Sequence, residues 1–215
     1  MRDRVVDEHE YAAAVFKLYY AAGGCSISPH IALREVGASF ELHTVDLRRK
    51  KLEDGSDFAA INPKAQIPAL VLPDGQLLTE GSAMVQYIAD LDPRSNLAPP
   101  PGSFERVRLQ EWLNFIATEL HKGIAPLIKN EGTEDYRKLL RERIAGKLAF
   151  VAASLGTPYL MGAQFTVADG YLFYVLRSWQ RVLSSELPAV LSTYYQALVD
   201  RPSVKAALLA EGLQP

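Results

Sequence analysis

The chain is poor in cysteine, in histidine and in long apolar runs. Its 215 residues include one cysteine and four histidines. A single cysteine excludes an intramolecular disulfide framework and is typical of a reducing, cytoplasmic compartment. No apolar run reaches about 18 residues, so the sequence predicts no membrane-spanning helix. The histidines show no metal-ligand spacing with the cysteine or with a carboxylate, so we expect no metal site; they are His9, His30, His43 and His121.

The chain also lacks a charge excess of either sign. Its net charge is −2, with 48% hydrophobic and 22% charged residues, as in an ordinary soluble globular protein. Interspersed charges give no electrostatic footprint for nucleic acid or for an anionic membrane. The first ten residues are charged and have no signal-peptide core, so residues 1–14 are interpreted as an N-terminal extension.

Residues 15–92 alternate between strand and helix patterns. Alternating or apolar runs predict strands at 15–20, 40–45, 69–72 and 76–78. Helices are predicted from Pro29, over 56–61 and over 83–91, and residues 46–54 are expected to form a charged loop. The resulting order, β-α-β-α-β-β-α, suggests a thioredoxin-like α/β domain.

Beyond this domain the pattern is helical throughout. A proline-rich stretch, residues 93–102, is typical of a linker. Amphipathic stretches predict helices over 103–130, 133–155, 167–183, 187–199 and 202–210. Thr166 and Asp169 form a capping-box-like start to the third of these helices. The predicted architecture is therefore an α/β thioredoxin-like N-terminal domain followed by an all-α domain over 103–215.

The single cysteine, Cys25, is placed by this pattern on a strand-to-helix turn. Ser28 is a good N-cap residue and Pro29 a good first helical residue, so the thiol precedes a helix N-terminus. That position favours an anion and depresses a thiol pKa. Ser28 also occupies the place of the second cysteine in a C-x-x-C motif, so a second, small thiol would have to resolve a mixed disulfide. Position alone leaves a reactive thiol and a small buried hydrophobe equally open.

Other residues gain a possible role from this layout. Pro68, just before the third strand, could follow a cis bond and expose the backbone of Ile67 beside Cys25. The segment 80–82 begins a helix whose amides could bind a carboxylate, while its glutamate could pair with an ammonium. Lys50 could hold a second carboxylate, and His121 could hydrogen-bond the sulfur. Taken singly, each is equally well or better explained as a strand-entry proline, a helix cap, a solvated lysine or a surface histidine.

Four stretches of sequence carry a family likeness when they are taken together. They are "KLYYAAGGCSISPHIALRE", "NPKAQIPALVLPDGQLLTEGSAMVQYIAD", "EWLNFIATELHKGIAPL" and "FTVADGYLF". Over residues 16–213 the chain resembles the cytosolic glutathione S-transferases, specifically their beta class of bacterial enzymes. The resemblance implies the glutathione S-transferase architecture, a homodimer, and glutathione as co-substrate. Two mild departures are the loop "AAGGC" in place of "APGAC" and Ala65 where glycine is common.

The resemblance also implies a role for each matching residue. Cys25 would lie against the glutathione sulfur and form a mixed disulfide with it, while His121 and Lys122 face the thiol. The backbone of Ile67, ahead of Pro68, would pair with the cysteinyl part of glutathione. The remaining implied contacts are Glu80, Gly81 and Ser82 with the γ-glutamyl end, Lys50 with the glycyl carboxylate, Asn114 and Thr118 with the partner subunit's glutathione, and Tyr20 near the thiol.

The expected activity is conjugation of glutathione to small hydrophobic electrophiles, a detoxification reaction, together with thiol–disulfide exchange through Cys25. A thiolate would be stabilised by the helix N-terminus, Ser26 and His121. One alternative is a binding protein without turnover, whose apolar cleft could be lined by Tyr171, Phe173, Tyr174 and Trp179, although their helical spacing predicts that most of them belong to the core. Another is a specialised glutathione-dependent reductive dehalogenase.

Overall fold

The computed structural model describes residues 15–215, and the expected extension over 1–14 lies outside that range. The N-terminal part contains five strands and two α-helices. They are β1 (Phe16–Tyr20), α1 (Ile27–Glu35), β2 (Phe40–Asp46), β3 (Lys51–Leu52), β4 (Ala69–Val71), β5 (Leu77–Thr79) and α2 (Gly81–Leu91). A short 3-10 helix, Phe58–Ala60, stands where the sequence predicts a helix over 56–61.

These strands form one mixed sheet in the order β3-β2-β1-β4-β5. β1 runs parallel to β2, with Phe16 opposite Phe40, and antiparallel to β4, with Leu18 opposite Leu70. Strand β3 is not predicted by the sequence, because a strand of two residues in a charged loop has no periodicity. The predicted thioredoxin-like arrangement is confirmed.

Helix α1 begins earlier than the sequence predicts. Its first residue is Ile27 and its N-cap is Ser26, whose side chain makes no capping bond. The prediction of Ser28 as N-cap is wrong, because the backbone is already helical at Ser26 (φ −62°, ψ −15°). Ser28 therefore lies in the first turn and is buried, with 3% of its surface exposed.

The C-terminal part is all-helical, as predicted. Its elements are α3 (Phe104–Phe115), α4 (Lys122–Ile128), α5 (Glu134–Ser154), α6 (Val167–Arg177), α7 (Ala189–Asp200) and α8 (Pro202–Ala210). Two π-helical segments, Ile116–His121 and Ser178–Val182, continue α3 and α6. The predicted helices over 103–130 and 167–183 are thus each interrupted by a π turn. No helix among residues 15–215 is long and apolar enough to cross a membrane.

Helix α1 joins the two parts, because it packs against α2 on one side and against α6 and α8 on the other. Most buried apolar side chains of both parts form one continuous cluster that includes α1, and a second, smaller cluster in the sheet domain holds Tyr19, Val45, Phe58 and Ala69. Arg201 at the start of α8 makes a two-pronged ion pair with Glu35 at the end of α1, at 2.5 and 2.7 Å. A charge-assisted bidentate pair of this kind fixes orientation as well as distance. The sheet domain is therefore held rigidly on the helical domain.

The capping box at the start of α6 is confirmed. The Asp169 carboxylate accepts from the Thr166 amide at 2.7 Å and from the Thr166 hydroxyl at 2.8 Å. Its other oxygen accepts from the Leu160 amide at 2.8 Å and from the Tyr194 hydroxyl at 2.6 Å. Asp169 is fully buried, so this carboxylate connects α6 to α7 as well as starting its own helix.

Candidate active site

A cavity of about 410 Å³ opens between the sheet domain and the helical domain. Its sheet-domain wall comes from the turn before α1, the segment before β4 and the start of α2; its helical wall comes from α3, the first π segment and α6. The residues that line it are Cys25, Ser28, Asn62, Lys64, Gln66, Ile67, Pro68, Thr79, Glu80, Gly81, Ser82, Ala83, Gln86, Asn114, Ala117, His121, Lys122 and Tyr171.

The turn that carries Cys25 is shaped by two glycines. Gly23 has a positive φ of +68°, which favours glycine, and a Cβ on Gly24 would lie 2.9 Å from the Ile67 side chain. The Ile67–Pro68 bond is cis, as expected. The Cys25 thiol donates to the Ile67 carbonyl at 3.5 Å. The thiol and the backbone just before β4 therefore face one another, as the sequence predicts.

The thiol of Cys25 is not an anion in the free protein. Burial raises its pKa to about 11, against which the backbone amides of Cys25 and Ser26 and the charge of Lys122 act in the lowering direction. The expectation of a depressed pKa is therefore wrong for this state, because loss of water outweighs the helix N-terminus. The Ser26 hydroxyl does not bond the sulfur either; it donates to the Ala21 carbonyl at 3.4 Å.

His121 lines the cavity as a neutral imidazole. Its Nδ1 lies 2.8 Å from the Tyr171 hydroxyl, and its ring packs edge-on against Tyr174. Burial lowers its pKa to about 4, and the neighbouring Lys122 charge adds to the effect. At neutral pH the imidazole can donate or accept one hydrogen bond but brings no charge.

The buried neutral histidine predicts an acid-dependent loss of stability. The folded pKa of His121 is near 4 and its ordinary value is 6.5, so the unfolded chain binds the proton more readily. Above pH 6.5 His121 is neutral in both states and does not lower the stability. As the pH falls from 6.5 towards 4, the free energy of unfolding decreases by about 3 kcal/mol. Urea unfolding at pH 7 and at pH 4.5 should show this loss in wild type and a smaller loss in His121→Gln. The control His43→Gln removes a partly exposed histidine and should keep the wild-type pH dependence.

The far end of the cavity holds alternating charges. Lys64 donates to the Glu80 carboxylate at 2.5 Å and to the Thr79 hydroxyl at 3.0 Å. The Lys64 contact and the charge of Lys122 lower the pKa of Glu80, which is therefore ionised at neutral pH. Ser82, in the first turn of α2, donates to the Leu113 carbonyl at a long 3.4 Å. Glu80 and Ser82 thus offer an anion and a weakly engaged hydroxyl beside the helix N-terminus.

Nine of the predicted site residues line this cavity, and four do not. Lys50 donates to the Ala65 carbonyl at 3.0 Å, next to the lining residue Gln66. Its contact with a glycyl carboxylate stays a prediction. Thr118 is exposed and donates to the Asn114 carbonyl. Tyr20 and Ser26 are buried beneath the turn rather than in the cavity wall.

Several residues that line the cavity were not among the predicted site residues, and two of them, Lys64 and Ser28, are important for the chemistry of the cavity. Lys64 lies one residue after Pro63 in a loop, where no periodicity marks it, and its partner Glu80 is sixteen residues away. Ser28 was assigned to the N-cap, so its burial was not foreseen. Asn62 holds the loop by donating to the Gln66 carbonyl at 2.6 Å. Ala65, which lies between Asn62 and Gln66, has a φ of +48°, a backbone conformation that glycine adopts more readily than alanine.

The fold and the cavity together define a two-domain protein with a thiol-containing cleft between its domains. A thioredoxin-like domain is joined to an all-helical domain, and the cleft between them is lined by a thiol, by the backbone just before β4 and by a charged helix start. Such a cleft is suited to a small thiol peptide that carries its own charges.

Comparison with known proteins identifies the family. Residues 24–91 match the model of the glutathione S-transferase N-terminal domain, and residues 118–210 match that of the C-terminal domain. Glutathione S-transferase GstA of Escherichia coli O157:H7 is 46% identical over 201 residues, covering 92% of this chain and all of that protein. The chain belongs to the glutathione S-transferase family.

Solved structures agree with this assignment. A bacterial beta class glutathione S-transferase from Sphingomonas chungbukensis is 40% identical and superposes with a TM-score of 0.87. A sphingomonad glutathione S-transferase complexed with glutathione is 41% identical, with a TM-score of 0.86. Each match covers 92% of this chain and 100% of the other. The glutathione S-transferase architecture expected from the sequence is confirmed.

Proposed function

We propose that the protein is a beta class glutathione transferase of the cytoplasm, which conjugates glutathione to small hydrophobic electrophiles in detoxification and catalyses thiol–disulfide exchange through Cys25. The observation that carries the proposal is the 3.5 Å contact between the Cys25 thiol and the Ile67 carbonyl inside a charged cavity. The likeness to a structure that holds glutathione supports the choice of co-substrate.

Glutathione would lie across the cavity from Cys25 to α2. Its cysteinyl backbone would pair with Ile67, which places the glutathione sulfur beside Cys25. The γ-glutamyl carboxylate would bind the helix start at Gly81 and Ser82, and the γ-glutamyl ammonium would bind Glu80. Because Lys64 already holds Glu80 at 2.5 Å, the incoming ammonium would share that carboxylate or displace the lysine.

Disulfide exchange would take place in two successive thiolate–disulfide exchange steps. The Cys25 thiolate attacks one sulfur of a disulfide; the new S–S bond forms as the old one breaks, and the departing thiolate takes up a proton. A glutathione thiolate then attacks the mixed disulfide and releases Cys25. Glutathione is needed because the residue three places after Cys25 is a serine. The raised pKa of Cys25 leaves a small fraction of thiolate at neutral pH, so exchange is expected to become faster as the pH rises.

The homodimer expected of the family gives a prediction about solution state. Apolar side chains on the outer face of α3 are exposed, Phe104 at 64% and Val107 at 51%. Apolar surface of this kind is typical of an interface, and the cavity residue Asn114 lies on the same helix. Sedimentation at micromolar concentration should show a dimer, and Val107→Glu should raise the monomer fraction. A monomeric wild-type protein would contradict the assignment.

A further inference from the structure

One buried hydroxyl in the described part of the chain has no partner. Among residues 15–215, Ser28 Oγ is the buried side-chain polar atom that makes no hydrogen bond. Burying a hydroxyl without a partner costs free energy, so such a group calls for an explanation, and a catalytic role is one of the recognised explanations. A serine inside a helix commonly bonds the carbonyl one turn earlier, and Ser28 does not.

Ser28 belongs to the turn that carries the reactive sulfur. Its backbone amide donates to the Cys25 carbonyl at 3.3 Å, which closes the turn that carries the thiol. Both side chains line the same cavity. With 3% of Ser28 exposed, solvent does not compete for the hydroxyl. A serine hydroxyl is redirected by rotation about a single side-chain bond, so Ser28 can change hydrogen-bond partners without a backbone movement.

The sulfur needs new partners when it loses its proton. In the free protein the Cys25 thiol donates to the Ile67 carbonyl, an interaction that an anion cannot make. The Ser26 hydroxyl is already bonded to Ala21 and does not line the cavity. The groups that interact electrostatically with Cys25 are Lys122 at the start of α4 and Tyr171 and Tyr174 on α6; His121 lines the same cavity, and Glu80 lies at its far end.

We propose that Ser28 is a catalytic residue whose hydroxyl donates a hydrogen bond to the anionic sulfur of Cys25, being unpaired while the thiol holds its proton. This inference rests on the proposed function, in which Cys25 reacts as a thiolate. This role accounts for the C-x-x-S spacing of Cys25 and Ser28. The serine cannot resolve a mixed disulfide, but its hydroxyl stabilises the attacking thiolate. An uncharged donor at this place serves the leaving Cys25 sulfur equally well when glutathione resolves the mixed disulfide.

Alkylation of Cys25 by iodoacetamide tests the donor without glutathione. Because the chain has one cysteine, the rate reports the Cys25 thiolate directly. In Ser28→Ala we expect the pH profile to move up by about one unit, with alkylation at pH 8 slowed about tenfold. Ser192→Ala, which removes a half-buried serine hydroxyl in α7, should keep the wild-type profile. Superimposable wild-type and Ser28→Ala profiles would overturn the proposal.

A second variant tests the proximity of the two side chains. In Ser28→Cys, oxidised glutathione should first form the Cys25 mixed disulfide; the introduced thiol then displaces glutathione, so two protein thiols are oxidised and one glutathione disulfide yields two thiols. We expect a protein without adduct and without free thiol. A stable glutathionyl adduct beside a free thiol would overturn the proposal. If wild type forms no adduct, the proposed function fails, while the alkylation profiles still decide the role of Ser28.

Discussion

Replacing Cys25 by serine should abolish glutathione-dependent disulfide exchange. The substitution removes the sulfur that forms the mixed disulfide, so we expect a fall of at least about 100-fold, to the uncatalysed background. Glutathione binding should change little, because its proposed charged contacts are with Glu80, Gly81 and Ser82, at the other end of the cavity. The measurement is turnover of a small disulfide at pH 8, with calorimetric binding of reduced glutathione on the same sample.

The matched control for this experiment is Ser26→Ala. Ser26 lies next to Cys25 but turns its hydroxyl to the Ala21 backbone, so exchange should persist in this variant. Full exchange activity in Cys25→Ser would show that another group forms the covalent intermediate. Loss of glutathione binding in Cys25→Ser would instead show that the thiol is needed to bind the peptide.

Replacing Asp169 by alanine should have the largest effect on stability, about 4 kcal/mol in the free energy of unfolding. The fully buried carboxylate accepts four hydrogen bonds, from Leu160, from Tyr194 and twice from Thr166. Alanine would leave all four donors without a partner in the interior. Urea unfolding at pH 7 measures the loss.

Two variants separate helix capping from the buried network at Asp169. Thr133→Ala removes an exposed N-cap hydroxyl from α5 and should cost about 1 kcal/mol. Asp169→Asn keeps an acceptor for Leu160 and Tyr194 but turns an NH2 group towards the Thr166 donors, so we expect an intermediate loss. A loss in Asp169→Ala no larger than that in Thr133→Ala would mean that the network adds nothing beyond a cap.

Local sequence signals predict most of the fold, because most helices and strands show a hydrophobic periodicity and are bounded by turn or capping residues. The alternation in 40–45 predicts β2, the Pro-Asp-Gly turn separates β4 from β5, and Thr166 with Asp169 marks the start of α6. The two π segments could not be foreseen, since a pattern with a period of 3.6 residues continues unbroken through them. The π turn at Ile116–His121 ends on His121, a residue of the cavity wall.

The sequence predicts those features of the candidate site that depend on backbone position. It does not predict the protonation states, which depend on burial. The approach of Ile67 to Cys25 follows from a proline before a strand and a turn before a helix. The protonation states of Cys25 and His121 do not, because the helical domain removes water from both, raising the pKa of the thiol and lowering that of the imidazole. The Lys64–Glu80 pair likewise depends on a loop that only the fold brings into place.

The most direct test of the account is the intact mass of the protein after incubation with oxidised glutathione. We expect a gain of one glutathionyl group per chain, lost on reduction and absent from Cys25→Ser. Because the raised pKa of Cys25 leaves little thiolate at neutral pH, the adduct should form faster at pH 9 than at pH 7. No adduct on wild type at either pH would contradict the assignment of Cys25 as the reactive group of a glutathione site.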